Sequence, residues 1–421
     1  MPDNRNWAGN YRYSASEIMV PDKAEQVQEI VARSRRIKAL GTRHSFNGIA
    51  DSESLLSLEK LNRVKNLDRE RNLVTVEGGI RYGDLCRYLH QNGYALPNLA
   101  SLPHITVAGA CATATHGSGN RNGNLATAVR AMKIVRADGE EVMYTREQPD
   151  GGFAGAVVNL GGLGIVTELT LEVSPTFDMS QVLYEGLSLD RLETHLEEIF
   201  GYAYSVSLFT DWRDSSFHQV WIKRKHADAE EFGKPGPEFY GARLATETLH
   251  PLPGCPAENC SEQLGIPGPW HERMPHFRME FTPSVGDELQ SEFFVPRAQA
   301  YEALCAVNRL REQIAPLLHA SEIRTIAADD LWMSPCYKQD SAGIHFTWKP
   351  DSKGVEGVLP LIEEALAPFG ARPHWGKLFT MSPARLQPLY EKLPDFRKLL
   401  RENDPEGKFR NAYLNEYIGA L

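Results

Sequence analysis

Gly41-Thr42-Arg43-His44-Ser45-Phe46-Asn47 places one histidine in a turn between a short apolar run (Ile37, Ala39, Leu40) and Ser45-Phe46-Asn47. A helix-like segment precedes the turn and a strand-like one follows it. Such a turn gathers backbone N–H groups, and gathered N–H groups bind phosphate oxygens. His44 then has four readings: a hydrogen-bonded loop histidine, a metal ligand, a base, or a nucleophile toward an electrophilic cofactor carbon. The rest of the chain weighs on the choice.

Upstream, Pro21 opens a segment with Ala24, Val27, Ile30 and Val31 on one side, which predicts a helix of about four turns. Downstream, Ser54–Leu58 and Leu73–Glu77 read as strands. Tyr82–Asn92 returns to helical spacing through Leu85, Tyr88 and Leu89, with Gly93 as its stop. The order helix, strand, strand, strand, helix fits an α+β domain better than a doubly wound one.

Asn98 to Gly119 (NLASLPHITVAGACATATHGSG) holds almost no charge and is rich in Gly, Ala, Ser and Thr. Small residues let a backbone approach a ligand and leave amides and hydroxyls free to donate; a tightly packed buried loop would read the same way. Leu160–Val166 (LGGLGIV) is similar and leads into an alternating strand through Thr167, Leu169, Leu171 and Val173. Gly117-Ser118-Gly119 and Gly162-Leu163-Gly164 carry Gly-x-Gly. Neither lies between a strand and a helix with an acidic residue about twenty positions on, so a nicotinamide-binding fold is rejected.

The chain has 421 residues, too many for one compact core, so two domains are expected. They are read as 1–175, 176–370, and a returning segment 371–421. In the second, Ser205–Arg213, Gln219–Lys223, Phe277–Phe281 and Gln290–Val295 read as strands and Arg297–Leu310 as a helix. His226–Trp270 is a long Pro- and Gly-rich connection, of the kind that covers a site or a partner surface. A net charge of −10 argues against general nucleic-acid binding. No apolar run reaches membrane-spanning length, and Met1-Pro2-Asp3-Asn4-Arg5 has no signal core behind it. The six cysteines are scattered, so free thiols in a reducing, cytoplasmic compartment are expected, with no metal site.

Three short segments near the C-terminus put polar groups where buried strands carry apolar ones. Glu322 and Arg324 share a face, as do His345 and Thr347; in Trp375–Phe379, read as a strand, Lys377 shares a face with Trp375 and Phe379. Buried charges need partners. Glu322 and Arg324 fit a structural ion pair on a solvent-facing sheet, or, taken with the other two segments, the lining of a polar pocket.

GTRHSFN, NLASLPHITVAGACATATHGSG and LGGLGIVTEL resemble the flavin domain of the vanillyl-alcohol-oxidase superfamily of covalent FAD-linked oxidases. Within it the chain is most similar to the alditol (xylitol, sorbitol) oxidases, close relatives of the aldonolactone oxidases. SVSLFTDWR, CSEQLGIPGPWHERMPHFRMEFTP, SEIRTIAADDLWMSP and ARPHWGKLF extend the resemblance over almost the whole chain. It implies an α+β, two-domain architecture: a PCMH-type FAD-binding fold with a mixed-sheet substrate (cap) domain.

The resemblance also implies that His44 is bonded to the 8α-methyl of FAD. Leu96–Gly109 has no cysteine for a second attachment, so a single bond is expected. Ala39, Leu40, Gly41, Thr42, Arg43 and Ser45, with Thr113, Ala114, Thr115 and His116, would hold the pyrophosphate. Ser101, Thr106, Gly109 and Ile165 would lie at the flavin, and His374 would be a further contact. Ser101, Glu322, Arg324, Thr347 and Lys377 would surround a linear polyol, with His345 alongside. Glu322 and Arg324 would fix hydroxyls, His345 or Glu322 would assist loss of the hydroxyl proton, and Lys377 would supply positive charge. The implied reaction turns a terminal CH2OH into the aldehyde while O2 becomes hydrogen peroxide, in a monomer whose partners are a polyol and O2. The alternatives are an aldonolactone (gulono- or galactono-lactone) oxidase or dehydrogenase, or a non-catalytic flavin- or carbohydrate-binding protein. One departure stands out: some members carry Gly-x-Gly-His, whereas Arg43 precedes His44 here and adopts a positive φ less cheaply than glycine.

Overall fold

Val27, Ile30 and Val31 are buried along one side of the Ala24–Arg33 helix, as their spacing requires. The helix is shorter than its apolar periodicity suggests. The Ser34 hydroxyl donates to the Ile30 carbonyl at 2.6 Å and Ser34 itself turns extended, which ends the helix. The chain then enters the Lys38–Leu40 strand and the His44 turn. A computed structural model describes residues 4–148, 152–228, 235–281 and 288–419 of the chain; part of the long connection, positions 229–234, and positions 282–283 at the end of the CSEQ…FTP stretch lie outside them.

Lys38–Leu40, Ser54–Ser57 and Glu17–Met19 form a three-stranded parallel sheet with Ser54–Ser57 at its centre. Behind it lies a five-stranded antiparallel sheet in the order Val64–Asp68, Leu73–Glu77, Ile165–Glu172, Val129–Val135, Glu141–Thr145. The Tyr82–Gln91 helix ends as predicted, with Gly93 at φ +85° just beyond it. Most of Asn98–Gly119 is irregular around a short Val107–Ala112 helix. Gly117 is needed there, because a Cβ would sit 2.2 Å from Asn98 Oδ1 and 2.4 Å from the Leu99 carbonyl.

The other layer is a ten-stranded sheet. The α+β expectation holds, but its strand pairings are antiparallel where a mixed sheet was expected. Only direct neighbours are antiparallel: Leu289–Pro296 and Leu318–Ile326 flank Ser341–Trp348, run parallel to each other, and are joined through the Ala300–Asn308 helix. Three neighbouring strands matter most: Leu318–Ile326, Ser341–Trp348 and Leu289–Pro296, in that order. Ile323, Ile344, Phe346, Phe293 and Val295 point to one side and pack under the Ala300–Asn308 and Ser352–Leu366 helices. Each such fully buried side chain stabilises the fold by about 1.5–3 kcal/mol. The period of two sends Glu322, Arg324, His345 and Glu292 to the opposite side.

The two layers have separate cores. One joins Val74, Val76, Leu169 and Leu171 with Trp375, Phe396, Leu399 and Leu414 from the end of the chain. The other runs from Val182 to Ala371 and takes in Trp7 and Phe46.

Two predicted strands are not strands. Phe277–Phe281 holds only a single bridge, Cys260 to Phe277, after which Phe281 N–H closes a turn onto the Arg278 carbonyl. Trp375–Phe379 is a turn closed by Lys377 N–H on the His374 carbonyl at 3.0 Å. Alternation therefore fails there: Trp375 buries its indole and donates to the Met333 carbonyl at 2.7 Å, while Lys377 points to Glu292.

Candidate active site

Between the layers lies a cavity of about 790 Å³, well within the range of small-molecule and cofactor sites. One wall is the predicted turn: Ala39, Leu40, Gly41, Thr42, Arg43, His44 and Ser45 all face it. Arg43 takes the left-handed conformation, φ +61°, despite its side chain. Its carbonyl accepts from Trp7 N–H at 2.8 Å, which helps to hold that geometry. The turn is tied to the far side of the cavity. Phe46 N–H donates to the Gly376 carbonyl at 2.8 Å, and Asn47 Nδ2 donates to the carbonyls of Trp375 and Lys377 at 2.9 and 2.8 Å.

His44 is half-buried, with the Trp7 ring centroid 4.5 Å away and His104 Nε2 3.4 Å from its Nδ1. Its burial, then His104 and the Lys377 ammonium near by, push its pKa down to about 3. At neutral pH it is an uncharged imidazole with a free lone pair, the form in which a histidine is a nucleophile.

Ser101, Thr106, Gly109, Thr113, Thr115, His116 and His374 also line the cavity. Ala114 and Ile165 do not. Ala114, at φ +53°, turns its methyl into the core, and Ile165 packs among Ile37, Leu56 and Val135, leaving Gly164 and Val166 at the wall.

Glu322, Arg324, His345 and Lys377 meet at one end. Strand register sets Glu322, His345 and Glu292 in a row across three strands. Glu292 is the hub. Its Oε1 lies 2.9 Å from an Arg324 nitrogen and 3.1 Å from His116 Nε2, and its Oε2 accepts from Lys377 Nζ at 2.7 Å. Gly343 sits beside Arg324 in the register, where a Cβ would come within 3.3 Å of Glu292 Oε1; its bare backbone leaves that contact open. Glu322 is held from two sides, by His276 Nε2 at 2.8 Å on Oε1 and by Arg324 Nε at 3.6 Å from Oε2. Thr347 lies off the wall. Its cross-strand partner Gln290 lines the wall instead.

Burial alone would raise both carboxyl pKa values, but the charged and hydrogen-bonding groups beside them win. Lys377, His116 and Arg324 hold Glu292 well below the usual range, and Arg324 and His276 do the same for Glu322. Burial lowers Lys377 from its ordinary value against the pull of Glu292. His345 and His374 are driven well below theirs by burial and then by Lys377. Two carboxylates thus balance one guanidinium and one ammonium among neutral imidazoles, the compensation that buried charge requires. His345 Nε2 and His374 Nε2 are buried and have no hydrogen-bond partner within the protein, which marks them as groups for a bound molecule to satisfy.

Those unsatisfied nitrogens, the neutral His44 and the small-residue walls fit a large, flat, phosphate-bearing cofactor extending from Lys38 and Gly161 toward Lys377. Glu292, Gln290, His104, Lys38 and His276 were missed in the sequence. For Glu292 and Gln290 a signal existed: both fall on the same face of a predicted strand.

A family model described as FAD binding domain matches residues 15–144, and one described as D-arabinono-1,4-lactone oxidase matches residues 287–417. An alditol oxidase of Streptomyces sp. is 50% identical over 98% of this chain and 98% of its own length. The L-gulonolactone oxidase of Mus musculus is 27% identical over 98% of this chain and 97% of its own. Among solved structures, cholesterol oxidase from B. sterolicum shares the fold with a TM-score of 0.79 at 14% identity, over 98% of this chain and 96% of that one.

Proposed function

The chain belongs to the alditol oxidase family, within the vanillyl-alcohol-oxidase superfamily of FAD-linked oxidases, and from that premise we propose that it oxidises the terminal primary hydroxyl of alditols such as xylitol and sorbitol to the aldose, with O2 reduced to hydrogen peroxide. The observation that carries this reading is the row Glu322–His345–Glu292, with Arg324 and Lys377 over it, facing the cavity that His44 also lines. FAD supplies the two-electron acceptor and the reaction with O2. His44 is the residue we assign to its covalent attachment, since the imidazole there is neutral.

A linear polyol offers alternating hydroxyl donors and acceptors. Glu322 accepts from them, Arg324 and Lys377 donate, and Ser101 and Gln290 add polar groups on the wall. Fixing the hydroxyls on the neighbouring carbons positions the terminal carbon that is oxidised, which is how binding energy becomes orientation. Of the two candidates for the hydroxyl proton, Glu322 has one oxygen on His276 and the other toward Arg324. His345 Nε2 is unengaged, and we assign it the proton as the C–H bond opens. Lys377, anchored by Glu292, keeps a fixed cation in a dry pocket beside developing negative charge.

The unit we propose is a cytoplasmic monomer. The six cysteines are unpaired, and no described helix is long and apolar enough to cross a membrane.

A lactone oxidase or dehydrogenase is the second reading, favoured by the lactone-oxidase model over residues 287–417. Peroxide release with xylitol, sorbitol and galactono-lactone, measured side by side, separates the two. Turnover of the lactone alone overturns the alditol reading.

A further inference from the structure

His276 sits outside the residues assigned above, yet it makes the shortest contact to Glu322, 2.8 Å from Nε2 to Oε1. It does not belong to the sheet. It arrives at the end of the long connection that crosses the outer strands, and that connection is fastened immediately beside it. Lys223, buried to 2% exposure on the Gln219–Lys225 strand, donates from Nζ to the carbonyls of Arg273 at 2.7 Å and Pro275 at 3.2 Å, and to Gln181 Oε1 at 2.7 Å. Ser261 Oγ donates to the Pro275 carbonyl at 2.7 Å, and Ser261 N–H to the His276 carbonyl at 3.0 Å. Gln181 Nε2 closes the network on the Ser261 carbonyl at 2.9 Å. A buried ammonium surrounded by carbonyl oxygens is a rigid fastening, because each freed partner would be a costly unsatisfied group.

The ring itself is boxed by Trp221 and Phe209, with centroids 5.1 and 5.4 Å away. Phe209 is the strand neighbour of Glu322. His276 Nδ1 is buried and has no hydrogen-bond partner. A protonated Nδ1–H stranded between two aromatic rings would be more costly than a bare lone pair there. The favoured form is therefore a neutral ring with its one proton on Nε2, donated to the carboxylate. Burial also drives the His276 pKa down in spite of Glu322, in keeping with that tautomer.

We infer that His276 is a positioning residue: clamped by Lys223 and Ser261, it fixes one oxygen of Glu322 so that the other is presented, ionised, to the substrate hydroxyls. The inference rests on Glu322 being a substrate contact. It explains why the long connection packs on the sheet behind the site. The groups facing Glu322 are His276, Arg324 and His345, and Lys223, whose pKa burial brings down to about 7 against the pull of Glu322, lies near by.

The test uses holoenzyme of wild type, His276→Leu, His276→Asn and His276→Gln, assayed with whichever of xylitol or galactono-lactone the wild type oxidises. The identity of the substrate is thus decided by the wild type alone. The glutamine amide reaches where Nε2 lies, the shorter asparagine amide does not, and leucine fills space without donating. His276→Leu is expected to lose about 10- to 100-fold in kcat/KM, the range for a hydrogen bond to a charged group, with unchanged flavin content. The acid limb of its kcat/KM profile should move to higher pH, since a carboxylate that loses a donor is easier to protonate. Glutamine should restore both the rate and the limb, and asparagine should not. Equal kcat/KM and an unmoved acid limb across the set would overturn the inference, as would equal losses in all three variants. If His276→Leu does not fold, the glutamine–asparagine contrast decides alone, and equality of those two overturns it.

Discussion

Lys377 Nζ lies 2.7 Å from Oε2 of Glu292, a carboxylate whose side chain has 0% exposure and whose other oxygen takes Arg324. The two cations at this end of the cavity therefore share one hidden counter-ion. Their positions are not independent, and neither is their charge.

Glu292→Gln is expected to destabilise the protein by about 3–5 kcal/mol, the range for removing one member of a buried ion pair, read as a fall in Tm. Lys377, losing the carboxylate that raises its pKa, should deprotonate more readily. The alkaline limb of the activity profile then moves to lower pH. An unchanged Tm together with an unchanged alkaline limb would show that Glu292 does not hold the cluster.

Lys377→Met should leave the flavin in place, since the attachment assigned to His44 does not pass through the Lys377 side chain, and slow turnover about 100-fold, the scale for removing one electrostatic stabiliser. Flavin absorbance and steady-state peroxide release measure the two quantities. Near-normal turnover would contradict the role assigned to the ammonium.

His44→Ala is expected to yield protein whose flavin passes into the supernatant on acid precipitation, whereas the wild-type flavin stays with the pellet. Mass spectrometry of the peptide that spans position 44 checks this directly. A wild-type peptide of unmodified mass would rule out attachment at His44.

Stability should fall as pH drops from 7 toward 5. His104, His116, His276, His345 and His374 all have folded pKa values below the ordinary 6.5. Below that value the unfolded chain binds protons that the fold refuses. Each of these histidines then costs about 1.4 kcal/mol per pH unit until its folded value is reached. The two depressed carboxylates, Glu292 and Glu322, contribute stability above about pH 4.5 and lose it below, so they steepen the fall only at more acidic pH. Thermal melts of holoprotein across pH 5–8 measure the slope, and a flat Tm over that window would contradict the buried neutral state of these rings.

By itself the sequence determined the local pieces. Period-2 spacing put Glu322 and Arg324 on one face of a strand, and both reach the cavity. The His44 turn and the small-residue loop after Asn98 line the same space, as their composition implied. These properties depend on neighbours along the chain, so they survive without the fold. Only the tertiary structure decided which faces meet. Glu292 looked like any polar residue on an alternating strand until His116, Arg324 and Lys377, far apart in sequence, converged on it. His276 lies in a stretch with no periodicity to read, and Trp375–Phe379 mimicked a strand although a single turn sends Trp375 and Lys377 to different partners. Compensation of buried charge is a long-range requirement: it acts through space, and spacing along the chain carries no record of it.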